Sequence, residues 1–344
     1  MRAALVIAAL LAVAATPARA LERARADRPD DSPVAQQIHA IYAVPSDGTD
    51  HALDTDGTIA ATVGSWNNWL FGQTGTTGLR LDTFHGALDV TFVRLPKTDA
   101  KLASQGLFIR DEIERELAHA GFDVAGKIYA VYYDGTAHGA CGGGAWPPAL
   151  PGVVAATYLH GTVKGAPPCD SNALVTSASS PPGYPEFAMI HEIMHTMGFV
   201  ATCAPHHTRN GHTSDSPKDL MYAGNKPWQP SVLDVGHDDY YATGRTDCPD
   251  LADSYYLEAN LPSHCVVPRL KGLTLAAARR ALMRAGCRLG PVTGRKRHRG
   301  TAHVASQSRR PGRRLAAGTA IGVRVRYPPR LEPRPDATLR AAAR

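Results

Sequence analysis

The stretch His191-Glu192-Ile193-Met194-His195-Thr196-Met197-Gly198 constrains this chain more than any other. On a helix, side chains four residues apart share a face, so His191 and His195 would present two imidazoles to one point. In a strand or an irregular loop the same pair would diverge. The spacing therefore demands a helix, expected over residues 186–198, with Phe187, Ile190, Met194 and Met197 turned to the core. Two imidazoles with Glu192 beside them form the pattern that holds Zn2+ and sets a general base next to a metal-activated water. Zn2+ is the expected cofactor, with His191 and His195 as ligands and Glu192 as the catalytic carboxylate. Gly198 can take a positive φ, so the chain can turn back beneath the pair. Catalytic zinc uses three protein ligands and keeps a place for water, so a third ligand must come from further along.

The N-terminus reads as an export signal. Arg2 supplies a positive start, residues 3–15 are apolar, and Ala18-Arg19-Ala20 forms a cleavage site. The apolar run is too short for a permanent membrane span, and no later segment is apolar enough for one. A secreted, extracellular protein starting near Leu21 is expected. In that compartment the six cysteines read as disulfides. Pairing of sequence neighbours gives Cys141 with Cys169, Cys203 with Cys248, and Cys265 with Cys287, the last bracketing one small helical unit. From residue 264 onward the chain holds 20 Lys and Arg against two acids, Glu332 and Asp336, whereas the remainder holds 17 basic and 29 acidic residues. In an exported protein such a basic part suits an anionic cell-wall polymer or surface, and nucleic acid is not the expected partner.

Patterning divides the chain. Residues 21–34 read as a flexible leader. Strands are expected at 37–44, 79–81, 88–95 and 127–133, and helices at 58–71 and 107–120. Residues 139–152, rich in Gly and Pro, read as a loop, without the Gly-Lys-Ser/Thr of a phosphate loop. Residues 153–159 read as a strand at the sheet edge, placed to bind an extended peptide by strand addition. Residues 199–258 show little regular pattern and would wall the site from below. A boundary falls at 260–264. Beyond it come a helix at 275–285, strands at 304–307 and 320–327, and a disordered tail at 328–344.

His191, Glu192, His195 and Gly198 resemble the motif of the metzincin zinc peptidases, H-E-x-x-H-x-x-G-x-x-H, which is followed by a methionine turn under the metal. The resemblance implies a metzincin-like catalytic domain over 35–260: a twisted, mostly parallel sheet with an edge strand, an active-site helix and an irregular lower part. It implies hydrolysis of a protein or peptide substrate. Asp219-Leu220-Met221-Tyr222 resembles the methionine turn, with Met221 as support and Tyr222 as a donor to a reaction intermediate. The chain departs from the family at Ala201, which stands where the third histidine belongs. His212 is the favoured replacement, since Gly211 permits a close backbone approach and the methionine turn is near. His206 is the alternative, and His207 and Asp215 are weaker options.

Residues Cys265-Val266-Val267-Pro268, Gly272, Leu275, Ala278, Leu282 and Ala285-Gly286-Cys287 resemble the first half of a PASTA domain. Val304, Ser306, Gln307, Pro311, Gly312 and Gly318 resemble its second half. The resemblance implies a small α/β fold over 264–327 and contact with peptidoglycan. The whole is thus an α+β chain, expected to be a secreted zinc endopeptidase. A zinc hydrolase of peptidoglycan peptides and a non-catalytic cell-wall binding protein are the other readings. The intact Glu192 counts against the last, because a structural zinc site needs no general base.

Overall fold

The computed structural model describes residues 23–32, 34–124, 126–163, 167, 169–260, 264–294 and 301–327. The expected signal peptide, 1–20, and tail, 328–344, lie outside the described residues. The chain is α+β, built on one mostly parallel sheet.

Strand β1 (Gln37–Val44) is buried along its whole length, as expected of a central strand covered on both faces. Its residues alternate between two cores. Ile38, Ala40 and Tyr42 face helix α1 (Thr58–Thr74), whereas Ile41 and Ala43 face helix α2 (Ile109–His119). Strand β2 (Val90–Arg94) lies parallel on one side of β1, and β3 (Lys127–His138) parallel on the other. Strand β4 (Gly142–Trp146) runs antiparallel to β5 (Leu150–Thr162), which lies parallel to β3, so the order is β2-β1-β3-β5-β4. Helix α3 (Tyr184–Thr196) joins α1 on the first face, where Met189, Ile190, Ile193 and Met194 are sealed from water.

Two expectations are corrected here. Residues 153–159 are not at the edge, because β5 is enclosed by β3 and β4. The edge is β4, inside the segment expected to be a loop. Its three consecutive glycines, 142–144, hide every sign of strand propensity, yet each takes a place where a side chain would collide with a neighbour.

The leader is also not loose. Lys127 carries its ammonium into a nearly dry site at the start of β3 and meets Asp27, Asp30 and Asp82, each at 2.5 Å. A lone buried ammonium would be strongly unfavourable, so leader carboxylates are drawn in as partners. Arg28 pairs with Asp89 at 2.6 Å, Arg23 reaches Asp50 and Asp54, and Ala24 bridges to Thr91. The chain length and polarity of residues 23–32 gave no hint of these distant partners.

Residues 199–258 contain little regular structure but are tied internally. Cys203 and Cys248 are joined, with Cα atoms 5.6 Å apart. Asp219 accepts the amides of Met221 and Val235 at 2.7 and 2.9 Å, and Asp234 accepts those of Tyr240 and Tyr241 at 2.9 and 2.7 Å.

In the C-terminal module, helix α4 (Leu275–Arg284) covers a three-stranded sheet. Strands β8 (Arg288–Thr293) and β9 (His303–Gln307) flank β10 (Ala320–Arg326), parallel and antiparallel respectively. Two short strands, β6 (His207–Thr208) and β7 (His212–Thr213), precede the module in the chain. Val267, Leu270, Ala278, Leu282, Val304, Ile321 and Val323 form its core, and Cys265 and Cys287 are joined across it. Strand β8 escaped the sequence reading because Gly290 and Pro291 interrupt its pattern. No helix among the described residues is long and apolar enough to cross a membrane.

Burial raises the Asp234 carboxyl to about 6 and that of Asp219 to about 7, even though both accept amide hydrogen bonds. An unfolded aspartate titrates near 3.9. Between these values the folded state binds more protons, so this contribution to stability is complete at acid pH and is lost as pH rises through 6. Asp234→Asn keeps an acceptor for the amides and removes the titration. The variant should therefore show a smaller fall in melting temperature between pH 5 and pH 8 than the native chain. An unchanged fall would reject this role.

Candidate metal centre

Helix α3 begins where Pro185 fits the first turn, and the buried Glu186 reaches back to the Gly183 amide at 2.9 Å, satisfying a donor that the helix itself cannot. It ends at Gly198, whose φ is +96°. There the Phe199 amide donates to the Met194 carbonyl at 3.0 Å and the Gly198 amide to the His195 carbonyl at 2.8 Å, the paired bonds of a left-handed glycine cap. This cap swings the Phe199 carbonyl under the His195 ring, whose Nδ1 it meets at 3.2 Å.

The chain then returns through a small ribbon. Strands β6 (His207–Thr208) and β7 (His212–Thr213) pair antiparallel around Asn210 and Gly211, both with positive φ. The Cys203–Cys248 bridge and a bond donated by the Val200 amide to the Gly211 carbonyl at 3.1 Å fix the base of this loop. The ribbon delivers His212 to the face of His191 and His195.

The three Nε2 atoms lie 3.0, 3.2 and 3.3 Å from one another. Each ring is held through its other nitrogen by a carbonyl: His191 by Leu220 at 2.7 Å, His195 by Phe199, and His212 by Arg209 at 3.2 Å. A carbonyl only accepts, so each Nδ1 carries the proton. Neutral rings then have no proton left for their Nε2 atoms, and three lone pairs converge on one point. Burial keeps the rings neutral, pushing His191 down to about 3 and His195 and His212 below the usual range. Three nitrogens bound at about 2.1 Å to one tetrahedral ion would be roughly 3.4 Å apart. The donor set and its spacing fit a metal ion.

The roof is β4. A methyl on Gly142 would come within 2.8 Å of the Glu192 side chain, and one on Gly144 within 2.6 Å of the Glu192 carbonyl and 2.9 Å of His195 Cβ. Glycine therefore lets the edge strand lie directly on the helix that carries the histidines. Glu192 looks into the cleft between them. Burial pushes its carboxyl up to about 8, opposed by the charge of Arg110 and the Gly144 amide. Cys141, joined to Cys169, anchors the start of this strand. The cleft is lined by His191, Glu192, His212, Tyr184, Tyr222 and Trp228, among others.

Of the expected site residues, His191, Glu192, His195 and His212 come together. His206 does not: its ring is drawn to Asp239 at 3.1 Å and lies in a separate group with Asp238. His207 stacks on Trp146, and Asp215 is exposed. Met221 is fully buried in the core beneath α3, and its carbonyl accepts the Thr213 amide at 2.9 Å. The 219–222 turn thus holds both the ring of His191 and the strand of His212. Tyr222 lines the cleft, with its hydroxyl accepting the Lys226 amide at 3.2 Å.

Sequence reasoning missed Trp146, Trp228 and the glycines of β4. Trp146 donates to the Val200 carbonyl at 3.2 Å, tying the roof to the return loop. Trp228 donates to the carbonyls of Asp219 and Leu220 at 3.2 Å, and its ring packs edge-on against His191. Isolated tryptophans in an irregular segment were the available signal. Among the known proteins compared with the chain, no family model and no curated sequence matches it.

Trp228→Phe keeps a ring against His191 but removes the N–H that fixes the Leu220 carbonyl. Metal affinity, measured by chelator competition, should fall about tenfold; an unchanged affinity would show that the indole merely fills space. Gly144→Ala should lower the melting temperature, by overpacking of roughly 1–3 kcal/mol, and should displace Glu192. Native stability in that variant would mean that β4 can lift away freely.

Proposed function

We propose that the chain is an exported zinc-dependent endopeptidase of metzincin type with a PASTA-like C-terminal module. One observation carries the reading: three Nε2 lone pairs converge beside Glu192, under a sheet edge open to a cleft. Three histidine ligands with a carboxylate that is not a ligand suit a catalytic zinc, which leaves a coordination place for water. Bound zinc would lower the pKa of water towards 7, polarise the substrate carbonyl and draw the Glu192 carboxyl back towards its ionised form.

The other parts of the reaction belong to this chain's own side chains. Among the described residues no strand lies beyond β4, so an extended peptide can add to this edge as a further strand. Docking there brings a peptide bond past Glu192. Glu192 takes a proton from the attacking water and returns it to the leaving amine. Tyr184 and Trp228, which meet edge-to-face at 5.4 Å, form an apolar wall for a substrate side chain. Three disulfides suit an oxidising compartment outside the cytoplasm.

Hydrolysis of peptidoglycan peptides by the same groups is the second reading, favoured by the basic module joined to the catalytic domain. Peptidase assays on casein and on purified peptidoglycan separate the two.

Glu192→Gln should keep about one zinc per chain and lose at least 100-fold in turnover, a typical size for removing a general base. His212→Ala should lose the metal, whereas His206→Ala should retain it. Native turnover in Glu192→Gln would sink the mechanism. Full zinc content in His212→Ala would sink the ligand set.

A further inference from the structure

A second group of metal-binding side chains stands at the entry of the β6–β7 ribbon. His206, Asp238 and Asp239 bring ligand atoms within 4.8 Å of one another. The His206 Nδ1 lies 3.1 Å from Asp239 Oδ2 and 3.7 Å from Asp238 Oδ2. Two atoms bound to one ion at about 2.1 Å are roughly 3–3.5 Å apart, so a small movement of Asp238 would close the three around a cation. Asp239 is buried, and its other oxygen accepts the His206 amide at 2.8 Å, which fixes the pair. The His206 ring and Asp238 are partly exposed, which leaves an open side for water ligands.

The surroundings are short of positive charge. Asp219, Asp234 and Asp239 are each at most 1 % exposed. Among the described residues no Lys or Arg pairs with any of them or with Asp238, and Arg245 turns to Asp247. Around Lys127 three carboxylates share one ammonium, whereas these carboxylates have no such centre. Two of their oxygens also lack a donor. Asp234 accepts the amides of Asp239, Tyr240 and Tyr241 through Oδ2, while its Oδ1 is sealed from water and unpaired. Asp238 Oδ1 is likewise sealed and unpaired, on the same carboxyl that faces His206. A sealed carboxylate oxygen without a donor is unfavourable unless a cation compensates it. A His206–Asp239 hydrogen bond accounts for those two residues but not for the approach of Asp238.

We propose that His206, Asp238 and Asp239 hold a second divalent metal ion of the first transition row. One imidazole with two carboxylates suits such an ion, whereas Ca2+ and Mg2+ favour oxygen alone. The ion staples the 234–241 loop to the chain just ahead of the ribbon that carries His212. It acts beside the Cys203–Cys248 bridge, which joins the same two segments. With only three protein ligands and an open side, it exchanges with solution, so a dialysed chain keeps only the ion held by His191, His195 and His212. The inference goes beyond the hydrolase reading and does not depend on it.

The test titrates the full, zinc-loaded and dialysed chain with Mn2+, following the free ion by electron spin resonance. About one Mn2+ per chain should bind without releasing zinc, and should raise the melting temperature. Pulsed spectra should show coupling to an imidazole nitrogen. His206→Ala should abolish that coupling and weaken Mn2+ by about tenfold or more, and Asp238→Asn should weaken it similarly and remove the thermal shift. Both variants should keep native zinc content, which shows that they fold and separates this site from the fate of the catalytic reading. Asp247→Asn removes an exposed acid from the same segment and should change affinity by no more than about twofold. Release of zinc by Mn2+, binding that survives both His206→Ala and Asp238→Asn, or an equal loss in Asp247→Asn would mean an adventitious ion only and overturn the site. Absence of nitrogen coupling, or Ca2+ binding as tightly as Mn2+, would remove His206 from the ligands and overturn it equally.

Discussion

Three ring nitrogens with no attraction for one another are held within 3.3 Å. Most of the structure around the histidines follows from that constraint. Each imidazole must be gripped from behind, and each grip is a carbonyl belonging to a different local device. Phe199 is placed by the left-handed cap of α3, Arg209 by the ribbon turn, and Leu220 by the 219–222 turn with Trp228. The devices are then braced against one another through the Cys203–Cys248 bridge, the Trp146 hydrogen bond and the carboxylates of Asp219 and Asp234. The irregularity of residues 199–258 is thus the shape of a chain whose hydrogen bonds serve the site instead of a helix or sheet.

Much of this was legible in the residues. The spacing of His191 and His195 required a helix, and the glycine after it required a turn. The apolar runs at 37–44 and 127–133 read as strands, and both are buried in the sheet. For the third ligand, Gly211 was a usable clue, and the preceding Asn210 strengthens it, since Asn-Gly favours a tight return between short strands. His206 was a plausible rival only because spacing cannot reveal that Asp239, far along the chain, captures its ring.

The misreadings have a common cause. Strand β4 and the 23–32 segment owe their structure to distant partners rather than to local preference. Gly142 and Gly144 sit in a strand because helix α3 lies too close for any side chain, a contact that spans some fifty positions, and Gly143 meets Tyr158 on the other face. Residues 23–32 are ordered because Lys127 needs carboxylates, and two of the three come from that segment. Local composition describes what a segment prefers alone, whereas here burial of another residue decides.

The ionic knot around Lys127 also bears on which residues belong with the large sheet. Its apolar patterning starts near residue 35, and a boundary drawn there would look natural. Such a cut would remove Asp27 and Asp30 and leave one buried ammonium with Asp82, a carboxylate already shared with His39. It would also strand Asp89 without Arg28. The folded structure therefore extends upstream of its own hydrophobic core, drawn there by the need to balance buried charge.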